Sequence, residues 1–285
     1  IFFRDTIMER FLKKFVPSAH VEIADLATDP NYLDRQKDFD LAIKTPAIPK
    51  HLMQIPYTTG TNLFFANCKN RVIGVTGSKG KSTTASLIAA ILERGGMRIQ
   101  LLGNIGKPVL DALNDGLEED VWVVMEMSSY QLDDIEYAPH IAVFTSLFPE
   151  HLDYHGSFEE YFAAKARITK KQKGEDYFVY HPAYLPLRVL AKSVASQAIP
   201  FVEVLPCSIE GIKLEGAHNV DNIRGAYTVA RLLGVSDEDV ESAVRAFDPL
   251  PHRLQNIGIY RGITFYDDAI ATAPEATIQA LQALP

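Results

Sequence analysis

The stretch Val72-Ile73-Gly74-Val75-Thr76-Gly77-Ser78-Lys79-Gly80-Lys81-Ser82-Thr83-Thr84 constrains this chain more than any other. An apolar run passes into a glycine-rich turn and then into a helical pattern, so backbone N–H groups and the positive end of a helix point at one place. That arrangement grips phosphate, and a nucleoside triphosphate suits it. Gly77, Ser78, Lys79, Gly80, Lys81, Ser82 and Thr83 are the expected ATP contacts. Lys81 would offset the β- and γ-phosphate charge and the Ser82 hydroxyl would sit on Mg²⁺. The full pattern G-x-x-x-x-G-K-[ST] is not met, because Val75 stands where its first glycine belongs. The loop is a shortened variant that starts at Gly77, and by itself it leaves chemistry, switching and plain binding equally open.

Apolar runs alternate with helical patterns on both sides of this loop, which predicts an α/β fold with a central P-loop-type parallel sheet flanked by helices. The expected strands are 71–76, 98–102, 121–125, 141–145, 177–180 and 200–204. Expected helices include 82–94, stopped by Gly95-Gly96, the stretch 158–173, and one capped by Ser236 with Val240, Val244 and Phe247 on one face. At 285 residues, length alone suggests about two domains. Thr45-Pro46-Ala47-Ile48-Pro49 reads as an extended connector closing a first domain, 1–60. A break near Pro249-Leu250-Pro251 separates a central domain, 61–249, from a further one opening at 250–285, where 256–260 and 264–267 read as strands around Arg261-Gly262. Both ends of the chain read as interrupted domains, so a fragment is expected.

A net charge of −8 argues against a general grip on nucleic acid or anionic lipid. The densest apolar run, Val121 to Met125, is five residues long and ends at Glu126, far short of the ~20 a membrane span needs. Cys68 and Cys207 form no metal-type spacing and read as small buried hydrophobes of a reducing compartment.

Ligands of such sheets collect at strand carboxyl ends. Glu126 ends an apolar run, where a carboxylate can hold Mg²⁺ or simply face solvent. His151, beyond the strand at 141–145, is either structural or a ligand. Lys165, among Ala163, Ala164 and Ala166, is a surface lysine or one partly buried by small neighbours; Lys170, Lys171 and Lys173 read as a solvated face. Gly103-Asn104-Ile105-Gly106 is a plain turn or a close approach to ligand.

Together with Glu126-Met127-Ser128-Ser129-Tyr130-Gln131-Leu132, Glu150-His151-Leu152-Asp153, Ala163-Ala164-Lys165, Gly216-Ala217-His218-Asn219-Val220-Asp221-Asn222 and Leu250-Pro251-His252-Arg253, the loop and the Gly103–Gly106 turn resemble the Mur ligases, in family order over nearly the whole chain. The resemblance implies partial Rossmann-like N-terminal and C-terminal domains around the ATPase domain, the first for a UDP-linked substrate and the last for the incoming amino acid. It implies Lys81, Glu126, His151 and Lys165 as catalytic, and Ser82, Glu126, His151 and a CO₂-carbamylated Lys165 as Mg²⁺ ligands. Asn104, Ser128 and Gln131 match positions near the UDP-sugar. Asn219, Asn222, His252, Arg253 and Asp268 match positions around the nucleotide. The activity implied is ATP-dependent addition of D-glutamate to UDP-N-acetylmuramoyl-L-alanine through an acyl phosphate, in peptidoglycan precursor synthesis, by a cytoplasmic monomer without nucleic-acid or membrane partners.

Two departures bear on this. Asp268-Ala269-Ile270-Ala271-Thr272-Ala273 stands where the common pattern is Asp-Ser-Lys-Ala-Thr-Asn, so a hydroxyl and a cation are missing, for which Arg253 offers compensation. Ala47 replaces a usual glycine. The alternatives are a sibling Mur or folylpolyglutamate ligase, and a nucleotide-binding homologue without catalysis.

Overall fold

Short apolar strands, each followed by a helix, generate the architecture of the computed structural model, which describes residues 6–24, 29–206, 208, 210–214, 216–253, 255–269, 271 and 274–283. Cys207, Ile270 and the 272–273 pair, on which expectations were placed, lie outside the described residues, as do 1–5 and 284–285. In chain order the elements are α1 (Thr6–Phe15), β1 (Ala42–Lys44), β2 (Tyr57–Thr59), α2 (Gly60–Asn67), β3 (Val72–Thr76), α3 (Lys81–Arg94), β4 (Ile99–Gly103), α4 (Val109–Asp115), β5 (Trp122–Glu126) and α5 (Ser129–Leu132). They continue with β6 (Ile141–Phe144), α6 (Leu152–His155), α7 (Phe158–Ala166), β7 (Tyr177–Tyr180), α8 (Leu185–Ala191), β8 (Gln197–Pro200), α9 (Ala217–Leu232), α10 (Asp237–Ala246), β9 (Gln255–Tyr260), β10 (Ile263–Asp267) and α11 (Pro274–Ala283).

Six strands form one parallel sheet in the order β4-β5-β3-β6-β7-β8. Both faces are covered, which explains why its strands are apolar throughout rather than alternating. Ile73, Val75, Val124, Val143 and Val179 point into one core with α3, α9 and α10, including Leu87, Ile91, Ile223 and Val240. Their neighbours Val72, Val123, Met125, Ala142, Phe144 and Phe178 point into a second core with Phe11, Phe64, Leu110 and Ile168. Outside this sheet, β1 pairs with β2 in parallel, and β9 pairs with β10 as an antiparallel hairpin around Arg261-Gly262.

Three expectations shift. The last strand is Gln197–Pro200 rather than 200–204, because Thr228 Oγ1 takes the Val202 N–H at 3.0 Å and draws the chain off the sheet edge. The helix expected over 158–173 is α-helical only to Ala166 and ends in a 3₁₀ turn, Arg167–Thr169. Thr45–Pro49 is not extended: Ile48 N–H bonds the Thr45 carbonyl at 3.2 Å and closes a tight turn after β1. Ser236 caps α10 as its sequence suggests, accepting from Asp239 N–H at 3.1 Å. Cys68 is half-buried, and burial pushes its thiol pKa up. Among the described residues no helix is long and apolar enough to cross a membrane.

Candidate functional site

From β3 the chain crosses to β4 on one side, whereas β6 leads to β7 on the other, so the crevice at the carboxyl ends of β3 and β6 is where a ligand of such a sheet settles. The glycine-rich loop fills its mouth. Ser78 N–H bonds the Ser146 carbonyl at 2.8 Å, Lys79 N–H bonds Ser146 Oγ at 2.8 Å, and Thr145 Oγ1 donates to the Lys79 carbonyl at 2.6 Å. Gly77 has φ +152° and a Cβ there would overlap Thr145 Oγ1; Gly80 has φ +82° and a Cβ would overlap Asn222 Oδ1. Both positions therefore require glycine, for conformation and for space. α3 begins at Lys81, leaving the first N–H groups of Lys81, Ser82 and Thr83 without carbonyl partners inside the helix.

Ser78 is an anchor of the loop. Its hydroxyl donates to the Phe148 carbonyl at 2.8 Å and accepts from Phe148 N–H and Tyr161 Oη, each at 3.0 Å. Tyr161 is fully buried and four residues before Lys165 on α7, so both side chains leave one helix face toward the loop.

Two ammonium groups meet there. Lys81 Nζ donates to the carbonyls of Gly77 at 3.1 Å and Ser78 at 2.8 Å, and Lys165 Nζ donates to the same Gly77 carbonyl at 2.8 Å. Lys165 is only 1% exposed, which settles the question its alanine neighbours posed. Burial, and then the adjacent Lys81, hold its pKa well below the ordinary lysine value. Burial also lowers the Lys81 pKa, against the opposing pull of Glu126 and Glu150. Glu126 closes β5; it is 5% exposed, and its Oε2 has no hydrogen-bond partner. Glu150 pairs with Lys79 at 2.6 Å. His151 precedes α6 with φ +54° and lies 5.0 Å from the Tyr130 ring, centre to centre. Partial burial, helped by Lys165 and Lys81, lowers its pKa against Glu150.

A buried carboxylate oxygen with no hydrogen-bond partner, as at Glu126, fits the donor chemistry of a divalent cation. Among the described residues no three His, Cys, Asp or Glu side chains converge into a cage. That fits Mg²⁺, which takes one or two carboxylates and completes its shell with phosphate oxygens and water. The Ser82 hydroxyl accepts from Arg253 Nη2 at 2.7 Å, which places the guanidinium at the end of the loop.

Asn219 and Asn222 are buried at the start of α9, with Asn222 Nδ2 donating to Asn219 Oδ1 at 3.0 Å and Thr84 Oγ1 donating to Asn222 Oδ1 at 3.2 Å. His252 Nδ1 pairs with Asp267 at 2.6 Å, beyond the loop's own contacts. Asp268 opposes the burial-driven fall of the His218 pKa. Asn104 is exposed in the turn after β4. Ser128 and Gln131 are turned on each other: Gln131 N–H bonds Ser128 Oγ at 3.3 Å and Ser128 N–H bonds Gln131 Oε1 at 2.9 Å. This reciprocal cap of α5 is the S-x-x-Q signature that the sequence itself displays. Tyr161, Thr145 and Ser146 belong to none of the motifs; strand-end position points to the two hydroxyls, and i,i+4 spacing from Lys165 to the tyrosine. Ala47 and Ala269 are exposed.

Residues 75–202 match the Mur ligase middle domain. The chain is 37% identical over 272 residues to a UDP-N-acetylmuramoylalanine--D-glutamate ligase of Streptococcus agalactiae serotype Ia, covering 86% of this chain and 60% of that protein. It is 33% identical over 302 residues to the enzyme of the same description from Streptococcus pyogenes serotype M49, covering 96% and 64%. The chain thus spans less than two thirds of the length of these relatives. Among solved structures, a MurF ligase from Thermotoga maritima in complex with ADP superposes with a TM-score of 0.61 at 24% identity, over 79% of this chain and 60% of that one.

Proposed function

The chain belongs to the Mur ligase family, and from that premise we propose that it carries the ATP site and phosphoryl-transfer groups of a ligase joining D-glutamate to UDP-N-acetylmuramoyl-L-alanine. The observation that carries the reading is the meeting of Lys81 and Lys165 on one loop carbonyl, in the charge field of a buried Glu126 whose Oε2 is unpartnered.

A carboxylate is a poor electrophile, so the substrate's terminal carboxylate first attacks the γ-phosphate of ATP and forms an acyl phosphate with release of ADP. The amine of D-glutamate then attacks the acyl carbon; the amide forms, a proton leaves the nitrogen, and phosphate departs. What the protein supplies is position and charge. On nucleotide binding, Lys81 leaves the Gly77 and Ser78 carbonyls for the β- and γ-phosphates, while the loop and the α3 N-terminus present their free N–H groups. Arg253, already at the Ser82 hydroxyl, supplies a cation to offset the loss of serine and lysine from the sequence at positions 269 and 270. Glu126 with Ser82, and His151 with Lys165, would hold Mg²⁺, whose chemistry is to offset repulsion between the carboxylate and the γ-phosphate. Burial lowers the Lys165 pKa, which favours the neutral amine that carbamylation needs: Lys165 Nζ would bond the carbon of CO₂ and give up a proton, leaving an anion beside Lys81. Asn219, Asn222, His252 and Asp268 are assigned to the nucleotide, and Asn104, Ser128 and Gln131 to the UDP-sugar side. The same reading places the reaction in the cytoplasm, with a monomeric protein acting on these small substrates.

The test is phosphate release from ATP by the full-length protein, dependent on both UDP-N-acetylmuramoyl-L-alanine and D-glutamate. Lys81→Ala and Lys165→Ala are each expected to lower turnover by about 10³; unchanged turnover in either removes the assignment. A second reading, nucleotide binding without ligation, is favoured by Ala269 at the position where a hydroxyl is usual. Tight Mg-AMPPNP binding without substrate-dependent phosphate release decides for it, and a different preferred amino acid decides for a sibling ligase.

A further inference from the structure

A buried ion pair with no part in the chemistry above sits beside the site. The Lys44 side chain is 0% exposed, and its Nζ lies 2.6 Å from Asp134 Oδ2, itself 5% exposed. The same ammonium donates to the Ile48 carbonyl at 2.7 Å, across the turn that follows β1, and faces the Tyr57 ring at 5.9 Å. Tyr57 Oη donates to Asp134 Oδ1 at 3.0 Å, and Asn62 Nδ2 donates to the Asp134 carbonyl at 2.9 Å. One lysine therefore closes the Thr45–Ile48 turn and fastens it to the segment after α5.

α5 starts from the Ser128 cap, two residues beyond Glu126. On its other side the turn is touched by α6: Tyr154 Oη reaches the Pro46 carbonyl at 3.4 Å, and the Tyr154 ring packs at 4.5 Å on Tyr130, which also covers His151. The turn hangs between the two short helices that follow Glu126 and His151, with Thr45 and Ala47 exposed. Burying two charges costs several kcal/mol that a pair of apolar residues would not, so such a pair is best understood as fixing one geometry out of several.

We propose that the Lys44–Asp134 pair is a latch that sets the Thr45–Ile48 turn as one wall of the acyl-substrate site, making Lys44 and Asp134 positioning residues for the UDP-linked substrate. This rests on the function proposed above. It separates two roles: the polar partners of the pair are Ile48, Tyr57 and Asn62, none of them in the phosphate loop or α9, so the latch acts on the affinity for the carboxylate substrate and not on that for ATP.

Steady-state kinetics of the full-length protein test it, with the KM for UDP-N-acetylmuramoyl-L-alanine and the KM for ATP measured separately. Lys44→Met and Asp134→Asn are each expected to raise the first about tenfold or more and leave the second within about twofold, because removing one partner strands a buried charge. Tyr57→Phe, which deletes only the bond to Asp134 Oδ1, is the gentler variant if the others do not fold, and is expected to raise the same KM about threefold to tenfold. The double variant Lys44→Met/Asp134→Leu, free of stranded charge, should recover melting temperature without recovering the KM. Unchanged KM values in variants of lowered melting temperature, or both KM values rising together, overturn the latch while leaving the proposed function standing. Wild-type protein that binds AMPPNP yet shows no substrate-dependent phosphate release overturns both.

Discussion

At the scale of the residue, the site is organised by the contest between burial and charge. Lys165 and Glu126 are buried and Lys81 is partly so, and burial pushes the pKa of both lysine amines down. Glu126 keeps an oxygen with no donor, a cost of about 1–3 kcal/mol or more unless something binds there. Glu126→Gln keeps the size and removes the anion, so the Mg²⁺ concentration for half-maximal turnover should rise about 10- to 100-fold with kcat recovering at high metal; a metal titration coincident with wild type would take Glu126 out of the ion's shell. Much of this was readable in the chain. The run Gly-Lys-Ser after a strand announces phosphate, and Glu126 announces itself by ending an apolar run. Lys165 was not decidable from spacing, because what its ammonium bonds is a carbonyl 88 positions away, at Gly77. The same is true of Arg253 at Ser82, 171 positions apart. Such pairings are made by the sheet order, which sequence periodicity does not contain.

At the scale of the element, the strands of the central sheet were legible because burial on both faces leaves continuous apolar runs, Val121–Met125 being the plainest. Where the chain meets the edge or the outside, the signal fails. β8 is offset because an edge strand is selected by its hydrogen bonds to β7 and not by its hydropathy, and the Thr45–Ile48 turn is held by a lysine across it, not by its prolines. The junction of β3 with α3 is tight enough to predict a failure. Gly80→Ala forces a side chain into φ +82° against Asn222 Oδ1, a strain of about 1–3 kcal/mol. It should lower the melting temperature and weaken AMPPNP binding together, since the displaced group is the Asn222 that also holds Thr84; intact binding would show that α9 yields freely. At the other end of β3, Val72 N–H donates to His140 Nδ1 at 3.1 Å, a bond that only the neutral ring with its proton on Nε2 can accept. Burial, first, and Arg71 lower the His140 pKa below its usual 6.5. The unfolded chain then binds the extra proton first, so this contribution to stability is complete above pH 6.5 and declines as pH falls from there through the folded-state value. Urea midpoints measured over that interval should fall in the wild type and fall less in His140→Gln; parallel curves would remove His140 from the account.

At the scale of the whole molecule, one layer of helices, α3 with α9 and α10, packs on one face of the sheet, while the opposite layer carries α7 and the segment that ends in the latch. The hairpin of β9 and β10 follows Arg253 directly and exposes Ile259, Tyr260 and Ile263. Its connection to the loop includes the bond from Arg253 to the Ser82 hydroxyl, at 2.7 Å. That hydroxyl is also the group a Mg²⁺ on the triphosphate would claim, so the arginine must be released toward the phosphates when nucleotide arrives. The segment after Pro249 is then expected to move relative to the central sheet, as ligands bound between two bodies require closure. Small-angle scattering of the full-length protein should show a smaller radius of gyration with Mg-AMPPNP and the UDP-linked substrate than without them. Arg253→Ala removes the group that follows the phosphates, so it should keep the larger radius at ligand concentrations that close the wild type, while Lys44→Met should close normally once its weaker substrate site is saturated. Superimposable wild-type profiles with and without ligands would rule out the movement, and a normally closing Arg253→Ala would assign it to some group other than this arginine.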